Sequence, residues 1–295
     1  MKRLTHLLLL MLLCSGMAMG QGDPLVDALR KYQAGSLAEA RELIDEAVNA
    51  PQHQTNAEAW LLRGFIYKDA YKGAASTAEG DALRAEAINS LYTCITLDEA
   101  GTYKENANQA YDFLTRSYFN DAAKALNEMN EERALLMFPR YKEAAQKLDP
   151  KVDLRSREIE FNNALGTVYN KRLNVDRADS LLFAQAVAAF KRVLEIDPEN
   201  YGANYNLATL YYNAGVYKIR RIDAEDEIPT ILQIQQASRV YFQEALPYML
   251  KAHDMNPSRR ETLLGLEGIY YSLQDQESSD KFRQLFEEMP PEEQR

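Results

Sequence analysis

The sequence predicts an all-α fold in which helical hairpins follow one another along the chain. Three short stop signals, LDP at 148–150, IDP at 196–198 and MNP at 255–257, each end one amphipathic segment shortly before the next begins. Between these stops, apolar residues recur at the i, i+4, i+7, i+8 spacing that places a single stripe on a helix. No segment has the alternation of a strand bounded by turns, so we expect almost no β-sheet.

The stop signals recur at a nearly constant interval. Successive stops lie 48, 51, 48 and 59 residues apart, and they fall at Pro51, Glu99, Pro150, Pro198 and Pro257. A regular period of this size indicates a repeat architecture, in which each unit buries its apolar face against its neighbours. The predicted units span about 23–51, 56–99, 104–150, 157–198, 201–257 and 260–290.

The residues within these units resemble the tetratricopeptide repeat, whose pattern is W-x2-L-G-x2-Y, then A-x3-F, then a closing Pro. Three units carry the pattern clearly: Trp60, Gly64, Tyr67, Ala87 and Leu91 in the second; Leu165, Gly166, Tyr169, Ala186, Phe190 and Pro198 in the fourth; and Leu207, Ala208, Tyr211, Ala245, Met249, Ala252 and Pro257 in the fifth. Weaker copies cover the other three units. The resemblance implies a right-handed superhelical solenoid of about six helical hairpins.

Several hairpins are predicted to have elongated helices, because a tetratricopeptide repeat usually has about 34 residues. The extra residues lie between the two halves of a unit, and in the fifth unit they include an acidic stretch at 223–228 that we expect to form the turn. Pro229 then suits the first turn of a helix, whereas Pro139 and Pro247 should bend the helices that contain them. The segment ALPYMLKAHDMNP resembles exported long-helix repeat proteins of Bacteroidetes.

The N-terminus has the pattern of a secretory signal peptide over residues 1–20. Lys2 and Arg3 precede an apolar run that is too short to cross a bilayer, and small residues precede a predicted cleavage after Gly20. Removing the two cations would change the formal net charge from -10 to -12. We therefore expect an exported, periplasmic protein. The alternative is an outer-membrane lipoprotein anchored at Cys14, although Leu13 before it is bulkier than lipoprotein signals prefer.

Composition disfavours several classes of function. An acidic surface repels phosphate backbones and anionic lipid, so we expect no nucleic-acid partner and no basic membrane patch, and no other segment is long and apolar enough to span a membrane.

Cys94 falls on an apolar helical face and is expected to be a buried thiol. We find no spacing typical of a metal site, a nucleotide-binding loop or a catalytic triad, so we expect no metal, no cofactor and no enzymatic activity. An enzyme with an atypical carboxylate site is the less favoured alternative.

Candidate binding residues lie on the first helices of the later units. In tetratricopeptide proteins the face of the first helix opposite the packed stripe lines a concave groove, and the corresponding residues here are Asn163, Thr167, Tyr205, Asn206, Thr209, Tyr212, Asn213 and Tyr271. Aromatic and amide side chains suit recognition of an extended peptide. The alternative is that Tyr212 and Tyr271 only cover a neighbouring helix. In the subclass that binds a C-terminal carboxylate, only Asn206 would match, so we do not predict that specificity.

The resemblance implies a non-catalytic scaffold that binds another protein or a peptide of unknown identity in its concave groove, with the projecting hairpins as a second surface. The alternative is a structural component of an outer-membrane assembly or secretion complex.

Overall fold

The computed structural model describes residues 22–290, which form twelve α-helices and no β-strand. The helices are α1 (Pro24–Gln33), α2 (Leu37–Asn49), α3 (Ala57–Gly73), α4 (Ala78–Leu97), α5 (Lys104–Asn127), α6 (Glu131–Leu148), α7 (Arg155–Val175), α8 (Ser180–Ile196), α9 (Tyr201–Ile219), α10 (Ile228–Met255), α11 (Arg260–Ser272) and α12 (Gln276–Glu287). The prediction of an all-α fold is confirmed. The predicted signal peptide, with Cys14, lies outside the described residues.

The three stop signals mark the ends of helices. α6, α8 and α10 end at Leu148, Ile196 and Met255, the first residue of each tripeptide. Proline cannot continue a helix, because it lacks the amide hydrogen and its ring collides with the preceding turn. A side-chain cap begins the helix after the second stop, because the Oδ1 of Asn200 accepts a hydrogen bond from the amide of Ala203 at the start of α9, whereas α7 and α11 begin without such a bond. Such caps satisfy amides that have no partner within the helix.

The chain divides into two compact units, Met1–Ser117 and Tyr118–Arg295, and the division falls within α5. In the described part of the first unit, α1 packs on α2, α3 packs on α4, and α2 contacts α3. Arg63 of α3 links this group, since it binds the Asp45 carboxylate of α2 at 2.8 Å and the Glu86 carboxylate of α4 at 3.0 Å. The hairpins of this unit are therefore joined by ion pairs as well as by apolar packing.

In the described part of the second unit, α7 pairs with α8, α9 with α10, and α11 with α12. α8 also contacts α9, and α10 contacts α11, so neighbouring hairpins pack directly. Aromatic rings join the preceding helices: Phe119 of α5 lies 5.3 Å from Tyr141 of α6, and Phe138 of α6 stacks on Phe161 of α7 at 3.9 Å. These contacts bury one hairpin against the next, which is the arrangement predicted for a helical repeat. The hand of the stack stays a prediction.

Small residues allow the two helices of a hairpin to approach closely. A Cβ added at Gly166 would lie 2.7 Å from the ring of Phe190, and one added at Gly215 would lie 2.6 Å from the ring of Phe242. The first contact joins the glycine and aromatic positions of the tetratricopeptide pattern. The second was not predicted, because the pattern placed the small residue of this unit at Ala208, two helical turns earlier.

The hairpin of α9 and α10 is elongated, as expected. α9 has 19 residues and α10 has 28 residues, and the turn between them spans residues 220–227. Pro229 lies in the first turn of α10, and Pro139 and Pro247 lie inside α6 and α10. The bends expected at the two interior prolines stay predictions.

Candidate functional site

The predicted residues of α7 are half-buried and bonded locally. The hydroxyl of Thr167 donates to the backbone carbonyl of Asn163 at 2.8 Å, so it is used within its own helix. The side-chain amide of Asn163 donates to the Oδ1 of Asn200 at 3.4 Å, while its own Oδ1 is buried without a partner among the described residues. Asn163 therefore joins the face of α7 to the start of α9.

On α9, the predicted residues Tyr205, Asn206 and Thr209 are half-buried and Asn213 is exposed. Tyr205 stacks on Tyr201, with ring centroids 6.1 Å apart and planes 7° from parallel. The guanidinium of Arg259, just before α11, lies 5.5 Å above the ring of Tyr201. A hydrogen bond from Arg259 to Tyr201 raises the pKa of Arg259. The start of α9 thus presents two stacked rings beside the guanidinium of Arg259, which also lies 3.8 Å from the Glu261 carboxylate.

The two remaining tyrosines differ in their surroundings. Tyr212 lies 5.7 Å from the ring of Phe242 on α10, and a Cβ added at Gly268 on α11 would come within 2.7 Å of its hydroxyl. Tyr212 therefore packs against both α10 and α11. Tyr271 has 64% of its surface exposed and is free to meet a ligand.

The first helices of successive hairpins contact one another, since α7 touches α9 and α9 touches α11. Their exposed faces are therefore adjacent, and we call Asn163, Thr167, Tyr205, Asn206, Thr209 and Tyr212 the first-helix row. Asn213 and Tyr271 lie apart from this row, because each lines a separate cavity toward the turn end of the hairpins.

The first of these cavities, the interhairpin recess, has a volume of about 170 Å³. It lies between the turn that joins α7 to α8 and the sides of helices α9 and α10. Its lining is more apolar than polar and consists of Asn170, Leu173, Asn174, Arg177, Ala178, Asp179, Ser180, Phe183, Leu210, Asn213, Ala214, Tyr217, Lys218, Arg221 and Tyr241.

Three cations line the interhairpin recess: Arg177, Lys218 and Arg221. The one lining carboxylate, Asp179, caps α8 by accepting hydrogen bonds from the amides of Leu181 and Leu182 at 2.9 and 3.0 Å. Within residues 22–290, none of the three cations forms an ion pair. The recess can therefore attract an anion, even though the whole chain is acidic.

The sequence analysis missed this recess. Its signal was present in two basic segments, NKR at 170–172 followed by Arg177, and KIRR at 218–221, which stand out in a chain of net charge -10. A second, more open cavity of about 540 Å³ lies beside α9, α10 and the last hairpin, and Tyr271 and Arg220 line it.

The cysteine and the histidines of residues 22–290, for which no catalytic role is expected, have defined surroundings. Cys94 is fully buried, and burial raises the pKa of its thiol to about 12, so it is not a reactive nucleophile at neutral pH. The ring of His253 packs edge-on against Phe282 at 5.4 Å, and His53 bonds Asp23 at 2.9 Å. Among residues 22–290, no three His, Cys, Asp or Glu side chains cluster in a way that could hold a metal. No helix in that same range is long and apolar enough to cross a membrane.

Comparison with known families identifies a tetratricopeptide repeat at residues 182–218, which includes most of α8 and α9. A comparison with solved structures gave matches that include the following two. The chain is 13% identical to an IFIT1 monomeric mutant with Gppp-AAAA, covering 90% of this chain but 59% of that one, with a TM-score of 0.41. It is 17% identical to PilW, described as a widely conserved type IV pilus biogenesis factor, covering 91% of this chain and 94% of that one, with a TM-score of 0.32. A comparison with curated protein sequences gave no match.

Proposed function

We propose that this chain is an exported, non-catalytic scaffold that binds another protein or a peptide on the surface formed by α7, α9 and α11. The observation that carries the proposal is the direct packing of these first helices within a segment that contains a tetratricopeptide repeat. Side chains from three successive hairpins can then contact one extended ligand. The candidate contact residues are Asn163, Thr167, Tyr205, Asn206, Thr209, Tyr212, Asn213 and Tyr271.

The chemistry of the first-helix row supports a peptide ligand. The stacked rings of Tyr201 and Tyr205 offer a flat apolar surface, and Arg259 adds a positive charge at its edge. The buried side-chain Oδ1 of Asn163 lacks a partner among the described residues, so an N–H of a ligand or a water could satisfy it. Tyrosine and asparagine at an interface combine a large contact area with adaptable hydrogen bonds.

Site-specific photo-crosslinking in intact cells tests this proposal. A photoreactive benzoylphenylalanine at Tyr205 should form an adduct with a protein partner. The same probe at Ala188, an exposed residue of α8, serves as the matched control and should form little adduct. Adducts at Ala188 but not at Tyr205 would refute the assignment of the binding face.

Export and the absence of catalysis are parts of the same proposal. The signal-peptide pattern of residues 1–20 supports export, and a mature protein that begins at Gln21 in the periplasmic fraction would agree with it. Retention of residues 1–20 on the cytoplasmic protein would contradict it.

A second candidate function is a lipid-anchored component of an outer-membrane assembly or secretion complex, which Cys14 in the signal region favours. Globomycin-sensitive labelling by a fatty acid, abolished by Cys14→Ser, would support this candidate. Release of the unlabelled protein in soluble form would rule it out.

A further inference from the structure

The interhairpin recess exists because two neighbouring hairpins have different lengths. α8 begins at Ser180 only a few residues after α7 ends at Val175, whereas the chain runs on from the end of α9 through residues 220–227 to a much longer α10. The short turn of the first hairpin therefore lies against the side of the longer one, and the step leaves the cavity of about 170 Å³.

The walls of the recess hold positive charges in defined positions. The ammonium of Lys218 lies 5.5 Å from the ring centroid of Tyr241, and the guanidinium of Arg221 lies 5.7 Å from that of Tyr217. Cation–π contacts of this kind orient a cation without neutralising it. Together with Arg177, the recess therefore has three positive charges and one carboxylate, that of Asp179. An oxygen of this carboxylate already accepts a hydrogen bond at the start of α8.

Several other cations of the same unit do form ion pairs. Arg192 binds both Glu158 and Glu195, at 2.6 and 2.9 Å, and Arg283 binds Glu267 at 2.8 Å. An acidic chain has many carboxylates that could pair with its cations. The three cations of the recess nevertheless have no carboxylate partner among the described residues. A bound anion from outside the chain would balance the positive charge of the cavity.

The floor and rim of the recess define the rest of the ligand. Leu173 and Leu210 are buried, and Phe183 meets Tyr241 edge to face at 5.7 Å, so the floor suits an apolar or aromatic group. Three amides line the same cavity, Asn170, Asn174 and Asn213, and none forms a side-chain hydrogen bond with another described residue. An amide side chain both donates and accepts, which matches the N–H and C=O of a peptide group.

We propose that the interhairpin recess binds an acidic peptide segment, in which a glutamate or aspartate carboxylate meets Lys218 and Arg221 and an adjacent aromatic or aliphatic side chain enters the apolar floor. This proposal rests on the proposed role as a peptide-binding scaffold, but it uses a different surface. Of the eight predicted binding residues, Asn213 is the one that lines the recess.

The direct test is a titration of the full mature chain with acetyl-Glu-Phe-amide, followed by the side-chain amide signals of asparagine in two-dimensional NMR. The neutral twin acetyl-Gln-Phe-amide tests the charge, and 3-phenylpropionate tests whether a carboxylate on an apolar body is sufficient without peptide groups. We expect the glutamate peptide to bind most tightly and to lose affinity as the ionic strength rises.

The variant K218Q/R221Q should bind the glutamate peptide about tenfold more weakly, because two charge-assisted contacts are lost. The matched control is R260Q/K281Q, which makes the same change in net charge and also removes two cations that lie over rings, of Phe286 and Phe282 at 4.1 and 5.6 Å. The control should bind as the wild type does. Circular dichroism and the melting temperature establish that both variants are folded.

Three results would overturn the proposal: equal binding of the glutamine peptide, unchanged affinity in K218Q/R221Q, or binding of 3-phenylpropionate as tight as that of the peptide. Such results leave the proposed function standing if the probe at Tyr205 still crosslinks a partner. Conversely, peptide binding in the recess without any adduct at Tyr205 would refute the assignment of the first-helix row and keep the recess.

Discussion

The substitution Gly166→Ala tests whether close helix contact within a hairpin depends on the small residue. The added methyl group would lie 2.7 Å from Cζ and 2.8 Å from Cε1 of Phe190, a ring that is completely buried. Carbon atoms pack best at about 3.5–4.0 Å, so the ring or the helix must move by roughly 1 Å. Forced overpacking of this kind costs about 1–3 kcal/mol.

The helix propensity of alanine opposes this cost, since alanine is favoured over glycine by about 1 kcal/mol inside a helix. Gly202→Ala serves as the control, because its Cβ would meet only the side chain of Asn200, at an ordinary 3.6 Å. Gly202 lies in the first turn of α9, in the same unit. We expect Gly202→Ala to leave the free energy of unfolding unchanged or to raise it, and Gly166→Ala to lie about 1–3 kcal/mol below the control.

Urea denaturation followed by circular dichroism measures both variants, and the double variant G166A/F190L identifies the cause. Leucine removes the ring atoms that the new methyl group would meet, so the cost of Gly166→Ala should shrink by at least about 1 kcal/mol in the F190L background. If Gly166→Ala is as stable as the control, or if its cost is the same in both backgrounds, the packing of α7 on α8 against Phe190 is not as described.

Other predictions concern charge, burial and processing. Desolvation tends to raise the pKa of Glu158, but hydrogen bonds and charge attraction from Lys142 and Arg192 together lower it below the ordinary value of 4.5. The stability that Glu158 contributes is therefore present above that value and lost as the pH falls through the lowered pKa. Glu158→Gln should therefore cost about 1 kcal/mol at pH 7 and little at pH 2 in urea denaturation, and an equal cost at both values would contradict the ion pairs. The thiol of Cys94 should react with Ellman's reagent at pH 8 only after unfolding, and rapid labelling of the native protein would contradict its burial. Mass spectrometry of the exported protein should give the mass of a chain starting at Gln21, and a mass that includes residues 1–20 would contradict cleavage.

The helices could be predicted from the sequence because the signals that begin and end them are local. Each Asp-Pro or Asn-Pro stop lies within two residues of a helix end, and Pro229 with the acidic stretch before it located the turn of the longest hairpin. The contact of Gly215 with Phe242 escaped prediction because the elongated helices continue their close approach beyond the region that a shorter repeat covers. A pattern learned from shorter hairpins has no position for this second contact.

The candidate sites were harder to predict, because they depend on residues that are distant in sequence. Tyr212 and Tyr271 occupy equivalent places in their repeats, yet α10 and α11 cover the first while the second stays 64% exposed. The interhairpin recess brings Phe183 next to Tyr241 because the two hairpins have unequal lengths. The sequence of either hairpin alone does not show this proximity. The unpaired cations were visible in the sequence, but their shared location was not.

The affinity of the crosslinked partner for the purified chain tests most directly whether α7, α9 and α11 form a binding surface. Tyr205→Ala removes one of the two stacked rings and should weaken binding at least about tenfold in isothermal titration calorimetry, as expected for a central aromatic contact. Ala188→Ser, on the exposed side of α8, should bind as the wild type does. Equal affinities for wild type and Tyr205→Ala, with both proteins folded, would show that the partner binds elsewhere.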